Sequence, residues 1–177
     1  QPHDELTATI LWCLDDNDLK RVGSDVKDAN GQPVSATIFV DPFGVVFDSQ
    51  TNAPIAGAVV KLVLVDNGVI KPAEIFDDGG FRCSSPRDPR ADADCVEVIT
   101  TKADGAYRFP LVPPTNTTTT FYRLLITPPA GYAYPSVVSA AELVSKFSRT
   151  IDIKGSYGGN FDVTPQKGPV EIDVPMD

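Results

Sequence analysis

Residues 57–65, GAVVKLVLV, decide the fold. Six of these nine are valines or leucines, broken only by Lys61, and the run is too short for an amphipathic helix. Side chains alternate across a strand, so Ala58, Val60, Leu62 and Leu64 share one face while Val59, Lys61, Val63 and Val65 share the other. Both faces are apolar except at Lys61. A strand with one wet face shows polar alternation, so the surplus valine predicts a second covered surface, met by an N-terminal arm or by a neighbouring molecule. Val59, Val63 and Val65 are the expected assembly face.

Working outward, residues 44–48 (GVVFD) precede this strand across a turn at 49–54. Residues 96–101, 106–111 and 121–127 (FYRLLIT) follow as further strands, separated by Lys102 to Gly105 and by the Pro128-Pro129-Ala130-Gly131 break. Ala140 to Phe147 reads as one short helix. Residues 150–153, 160–163 and 170–174 close the chain as strands, the last with Val170, Ile172 and Val174 alternating against Glu171 and Asp173. Between Asp66 and Cys95 the spacing predicts a long Asp- and Pro-rich loop. Upstream, residues 6–14 (LTATILWCL) and 35–40 (SATIFV) read as a hairpin or arm, with the Asn30-Gly31 turn signal between them. The expected organisation is an arm over 1–40, donated to a neighbour, and an all-β sandwich over 41–177 with its long loop at 66–95.

Composition supports the same class. The 177 residues are 42% hydrophobic, enough for a real core, and 16 prolines with 13 glycines spread along the chain leave room only for short segments. A formal net charge of −9 opposes binding to nucleic acid or to an anionic membrane surface. No stretch approaches the roughly 20 apolar residues that span a bilayer, so no membrane insertion is expected. Gln1-Pro2-His3-Asp4-Glu5 lacks the basic and apolar regions of an export signal, so an exported form is expected to have lost it.

Gly44-Val45-Val46-Phe47-Asp48, Thr51, Pro54-Ile55-Ala56-Gly57-Ala58 and Val60 resemble the opening of carboxypeptidase-regulatory-like domains. Thr101, Asp104-Gly105-Ala106-Tyr107-Arg108-Phe109, Tyr122-Arg123-Leu124 and Pro129-Ala130-Gly131-Tyr132 are similar to the remainder, so the match spans roughly residues 41–135. The threonine-rich stretch 115–120 and the length of 66–95 depart from the family pattern. The resemblance implies a Greek-key-like, transthyretin-like (prealbumin-like) β-sandwich of the kind found in bacterial surface proteins beside Cna B-type modules, and with it a stalk, spacer or fibre role.

Candidate sites are sparse. Cys83 and Cys95 flank a polar loop and are expected to form a disulfide, with two free thiols as the alternative. Cys13 reads as a small buried hydrophobe. Asp15, Asp16 and Asp18 are candidate calcium ligands, with a solvated turn as the alternative. Asp77-Asp78, Asp88, Asp92 and Asp94 form a second acidic patch open to the same two readings. Asn116-Thr117-Thr118 fits a glycosylation sequon. Cna B-type relatives carry an internal lysine–asparagine bond, for which Lys61, Lys102 and Lys154 are strand-associated lysines that no spacing distinguishes. His3 is the sole histidine, and no phosphate loop, paired-histidine motif or CxxC occurs, so catalysis is not expected.

The resulting expectation is a non-catalytic structural subunit or repeat of an extracellular, cell-surface fibre that assembles through strand contacts. Leu6, Ala8, Ile10 and Trp12 are the buried face of its assembly strand. It needs no cofactor, calcium being the optional ion, and its partners are further copies or adjacent modules. The alternative is an adhesin-type module that binds carbohydrate or a host protein through Tyr132, Tyr134 and Tyr157.

Overall fold

The computed structural model describes residues 41–77, 80–111, 121–163 and 169–177. The expected N-terminal strands, the assembly residues Leu6, Ala8, Ile10 and Trp12, the acidic turn with Asp15, Asp16 and Asp18, Cys13, His3, Asp78 and the Asn116 sequon all lie outside the described residues.

The regular elements of the described residues are mostly strands, arranged in two sheets with one α-helix, an all-β sandwich. In the first sheet, β1 (Pro42–Asp48) pairs antiparallel with β5 (Ala106–Arg108) and parallel with β8 (Val170–Glu171) and β9 (Val174–Met176). In the second, β2 (Val59–Asp66) pairs along one side with β6 (Phe121–Thr127). Its other side is shared by β3 (Val69–Pro72) and β4 (Val98–Thr100), and β7 (Phe161–Asp162) lies beyond β6.

The core lies between the sheets. Val46, Tyr107, Ile172, Val174 and Met176 from the first meet Val60, Leu62, Tyr122, Leu124 and Phe161 from the second in one buried cluster. Ala58, Val60 and Leu62 belong to this cluster and Leu64 packs against it, as the alternation in 57–65 requires. The resembling motif residues also converge. Gly57, at φ 83°, lets its N–H reach the Thr101 carbonyl at 2.8 Å, while the Thr101 hydroxyl donates to the Ile55 carbonyl and accepts from the Ala58 N–H.

A second, smaller packing site lies outside the first sheet. Phe47 faces away from Val46 and is fully buried under α1 (Ala140–Phe147), meeting the Phe147 ring edge-on at 6.5 Å with Leu143 also fully buried. Helix α1 begins where Ser139 accepts the Glu142 N–H and ends where Ser148 turns left-handed at φ 53°. Leu143 and Phe147 are four residues apart and therefore share the face turned to Phe47.

Three expectations are corrected. Residues 150–152 are irregular and 153–154 turn into a short 3-10 helix at Gly155–Tyr157, with Ile153 exposed, and not a strand. The stretch 66–95 opens with strand β3 and a two-residue hairpin at Asn67 (φ 49°) and Gly68 (φ 82°). Strand 170–174 is two pieces, and Asp173, expected to face water, is buried.

Candidate functional site

The loop between β3 and β4 is folded by polar brackets more than by apolar burial. Asp77 is the organiser: one carboxylate oxygen accepts the Phe81 N–H at 2.8 Å and the other the Asp92 N–H at 2.9 Å, tying together two parts of the loop. Arg87 donates to the carbonyls of Cys95 at 2.5 Å, Ala91 at 3.2 Å and Asp92. The Ser84 hydroxyl accepts from the Ile75 N–H, and Arg90 lies over the Phe81 ring at 4.4 Å. Cys83 and Cys95 are joined by a disulfide of S–S length 2.04 Å, as their spacing predicts.

Beside the disulfide an open pocket of about 210 Å³ is lined by Asp77, Asp92, Asp94, Ile99, Arg108 and Pro110. Two of its charged groups are committed to the fold. Asp77 holds the loop as described, and Arg108 pairs with Asp41 at 2.6 Å. Asp88, expected in the same acidic patch, is bound instead by Arg90 at 2.8 Å, whose side chain and N–H hold its carboxyl down at about 2. Among the described residues no three acidic, histidine or cysteine side chains are grouped to hold a metal ion.

The outer face of the five-stranded sheet is built by register. Residues directly opposite in antiparallel strands share a face, so Ile70, Val65 and Phe121 form one row and Pro72, Val63 and Arg123 the next. Val98, Lys61 and Leu125 form a third, and Thr100, Val59 and Thr127 the last. Val63 and Val65 at the centre are buried, 2% and 7% exposed, yet stand outside the core cluster. The flanking Ile70 (49%), Phe121 (42%), Val98 (41%) and Leu125 (39%) remain open. Two cations lie among them, Lys61 and Arg123, the latter donating to Asn160 at 2.8 Å. Of the expected assembly residues, Val59, Val63 and Val65 thus do share one face, with the exposed apolar groups on the strands beside them.

The remaining candidates are dispersed. Tyr132 packs against the core and the Tyr157 hydroxyl donates to the Val138 carbonyl at 2.8 Å. Tyr134 is turned inward, its hydroxyl buried without a hydrogen-bond partner and pushed up to about 12 by burial. Lys61 lies on the outer sheet face, whereas Lys102 and Lys154 are exposed in turns.

Sequence reasoning missed the most unusual polar group, Asp173. One oxygen accepts the Val45 N–H at 2.9 Å, and the other faces the Arg149 guanidinium at 3.5 Å. Arg149 in turn covers the Phe47 ring at 4.7 Å and donates to Asn52. Burial raises the Asp173 carboxyl above its ordinary value, opposed by the Val45 and Arg149 contacts. Asp177 shows the reverse balance. Partial burial works to raise it, but bonds from Ser136, Ser49 and Val137 win and leave it lowered.

No protein-family model matches the chain, and no curated protein is similar to it. What the fold defines is a class: a two-sheet, all-β module cross-linked by one disulfide. No helix among the described residues is long and apolar enough to cross a membrane. The disulfide is compatible with an extracellular location.

Proposed function

We propose that this chain is a non-catalytic structural module of an extracellular surface fibre, a Greek-key, prealbumin-like sandwich that associates with further copies or adjacent modules through strand contacts. The observation that supports this reading is the outer face of the five-stranded sheet. Exposed apolar residues scattered singly are ordinary, but Ile70, Val98, Phe121 and Leu125 gather on one surface around buried valines. Beside that surface runs β3, whose four residues are all exposed at the end of the sheet's strand order. Such a strand offers main-chain groups for pairing with another chain.

The experiment is assembly of the purified chain, followed by electron microscopy and sedimentation, with and without residues 1–14 and with and without a calcium chelator. The full chain should form higher-order species and the truncated chain should stay a folded monomer. Unaltered assembly by the truncated chain rejects strand donation. Loss of assembly on chelation adds calcium as the ion of the fibre.

A further inference from the structure

The sequence contains two Asp-Pro peptide bonds, Asp41-Pro42 and Asp88-Pro89, and the fold treats them differently. An aspartate carboxylate can close a five-membered ring by attacking its own peptide carbonyl carbon. A following proline makes that bond the easier to break, because its nitrogen leaves as a secondary amine once protonated.

Asp41 stands immediately before β1. Arg108 of β5 meets its Oδ2 with both Nε and Nη2, each at 2.6 Å. Oδ1 is buried and accepts no hydrogen bond from the described residues. A buried carboxylate oxygen left unpaired keeps its lone pairs for reaction. The peptide itself is pinned on both sides: the Asp41 carbonyl accepts the Val170 N–H at 3.1 Å, and the Pro42 carbonyl accepts the Phe109 N–H at 2.9 Å. A donor on the Asp41 carbonyl oxygen stabilises the negative charge that grows there during attack.

Asp88 provides the contrast. Its carbonyl likewise accepts an N–H, from Ala91 at 3.1 Å, but both of its carboxylate oxygens are occupied. Arg90 donates to Oδ1 from its N–H at 2.9 Å and from Nε at 3.0 Å, and to Oδ2 from Nη2 at 2.8 Å. The two sites thus share the activated carbonyl and differ in the free carboxylate oxygen.

We infer that Asp41-Pro42 is a self-cleaving bond, hydrolysed by the Asp41 carboxylate without a second protein. Oδ1 bonds to the Asp41 carbonyl carbon, the C–N bond to Pro42 breaks, and the Pro42 nitrogen takes a proton from solvent and leaves. The cyclic anhydride so formed takes up one water and opens to the side-chain and α-carboxyl groups of Asp41. The products are residues 1–41 and a sandwich that begins at Pro42. This goes beyond the fibre reading and does not depend on it.

The full chain, incubated in mildly acidic buffer and read by intact mass without reductant, should yield residues 1–41 and 42–177, together heavier than the parent by one water. A cut at Asp88-Pro89 leaves its pieces joined through Cys83 and Cys95 until reductant is added. In the folded chain, cleavage after Asp41 should outpace cleavage after Asp88 at least about tenfold. In urea at the same pH, where both carboxylates are released, the two rates should converge. Asp41→Glu keeps the charge but enlarges the ring, and Pro42→Ala replaces the leaving nitrogen. Each should slow the native reaction at least about tenfold, with circular dichroism as the check on folding. Equal native rates at the two bonds, no cleavage after Asp41, or a preference that persists in urea overturns the inference, and none of these needs a variant to fold. Cleavage of folded Pro42→Ala at the wild-type rate overturns it as well, because a contaminating protease is then the agent.

Discussion

Gly44→Ala tests the packing of the first sheet at its tightest point. A Cβ at Gly44 would overlap the Ile172 carbonyl oxygen, lie 2.6 Å from its carbonyl carbon and 3.1 Å from the Tyr107 hydroxyl. None of these can yield cheaply. The Ile172 N–H donates to the Phe43 carbonyl at 2.8 Å, its carbonyl accepts the Tyr107 hydroxyl at 2.5 Å, and Tyr107 is itself the cross-strand partner of Gly44. Overpacking a filled site costs about 1–3 kcal/mol. Separating the Tyr107 hydroxyl from its buried acceptor adds about 1–3 kcal/mol. The expected loss is therefore about 2–6 kcal/mol, a large share of the 5–15 kcal/mol typical of a domain. Urea denaturation followed by circular dichroism reads it, with the slope checked for constancy. Tyr107→Phe should cost about 1–3 kcal/mol alone and make Gly44→Ala cheaper by about 1 kcal/mol, because the hydrogen bond can be lost only once. A Gly44→Ala cost below about 1 kcal/mol, or two costs that simply add, refutes the reasoning.

Asp173→Asn should change the pH dependence of stability in a defined direction. An acid whose folded pKa lies above its unfolded value binds a proton more tightly when folded. The stability it adds at low pH is lost as pH rises from 3.8 through the folded value. Relative to Asp173→Asn, the wild type should lose stability across that window, and parallel denaturation profiles at the two ends of it would remove buried Asp173 as the cause. Replacing both Cys83 and Cys95 with serine should lower stability by about 3 kcal/mol on the chain-entropy account of a loop of this size. The thermal midpoint reads the loss, which should match that of the wild type under reductant. Faster amide exchange should be confined to the loop that Asp77 and Arg87 bracket.

The strands that were legible are those in which local pattern and tertiary placement agree. Residues 57–65 and 121–127 are apolar runs of strand-forming residues and occupy the centre of one sheet. Residues 140–147 carry a Ser139 cap, a Glu142 three residues on and an i, i+4 apolar pair, which identify a helix without reference to its seat. What was illegible depended on distant partners. Asp173 looks like the wet position of an alternating strand, and only the approach of Arg149 and the Val45 N–H makes its burial tolerable. Ile153 looks like a strand residue, yet Asp152 accepts the N–H groups of Lys154 and Gly155 and bends the chain there. One miss had a signal: Asn67-Gly68, between the apolar run ending at Val65 and the pair Val69-Ile70, marks the β2–β3 hairpin. For the candidate surface, the sequence carries the apolar second face of β2, while which neighbouring strands widen it follows only from the pairing of β3, β4 and β6.

The parallel pairing of β1 with β8 and β9 has a mechanical consequence. A pull applied at Asp41 and at Asp177 draws β1 and β9 in opposite senses along their common axis. The links joining β1 and its flanks to the stretch 170–176, from Val170 to Asp41, from Ile172 to Phe43 and from Ser49 to Met176, therefore take the load side by side. Strands strained in this way must break their contacts together instead of peeling apart one at a time, so the module resists tension along the line that joins those two residues.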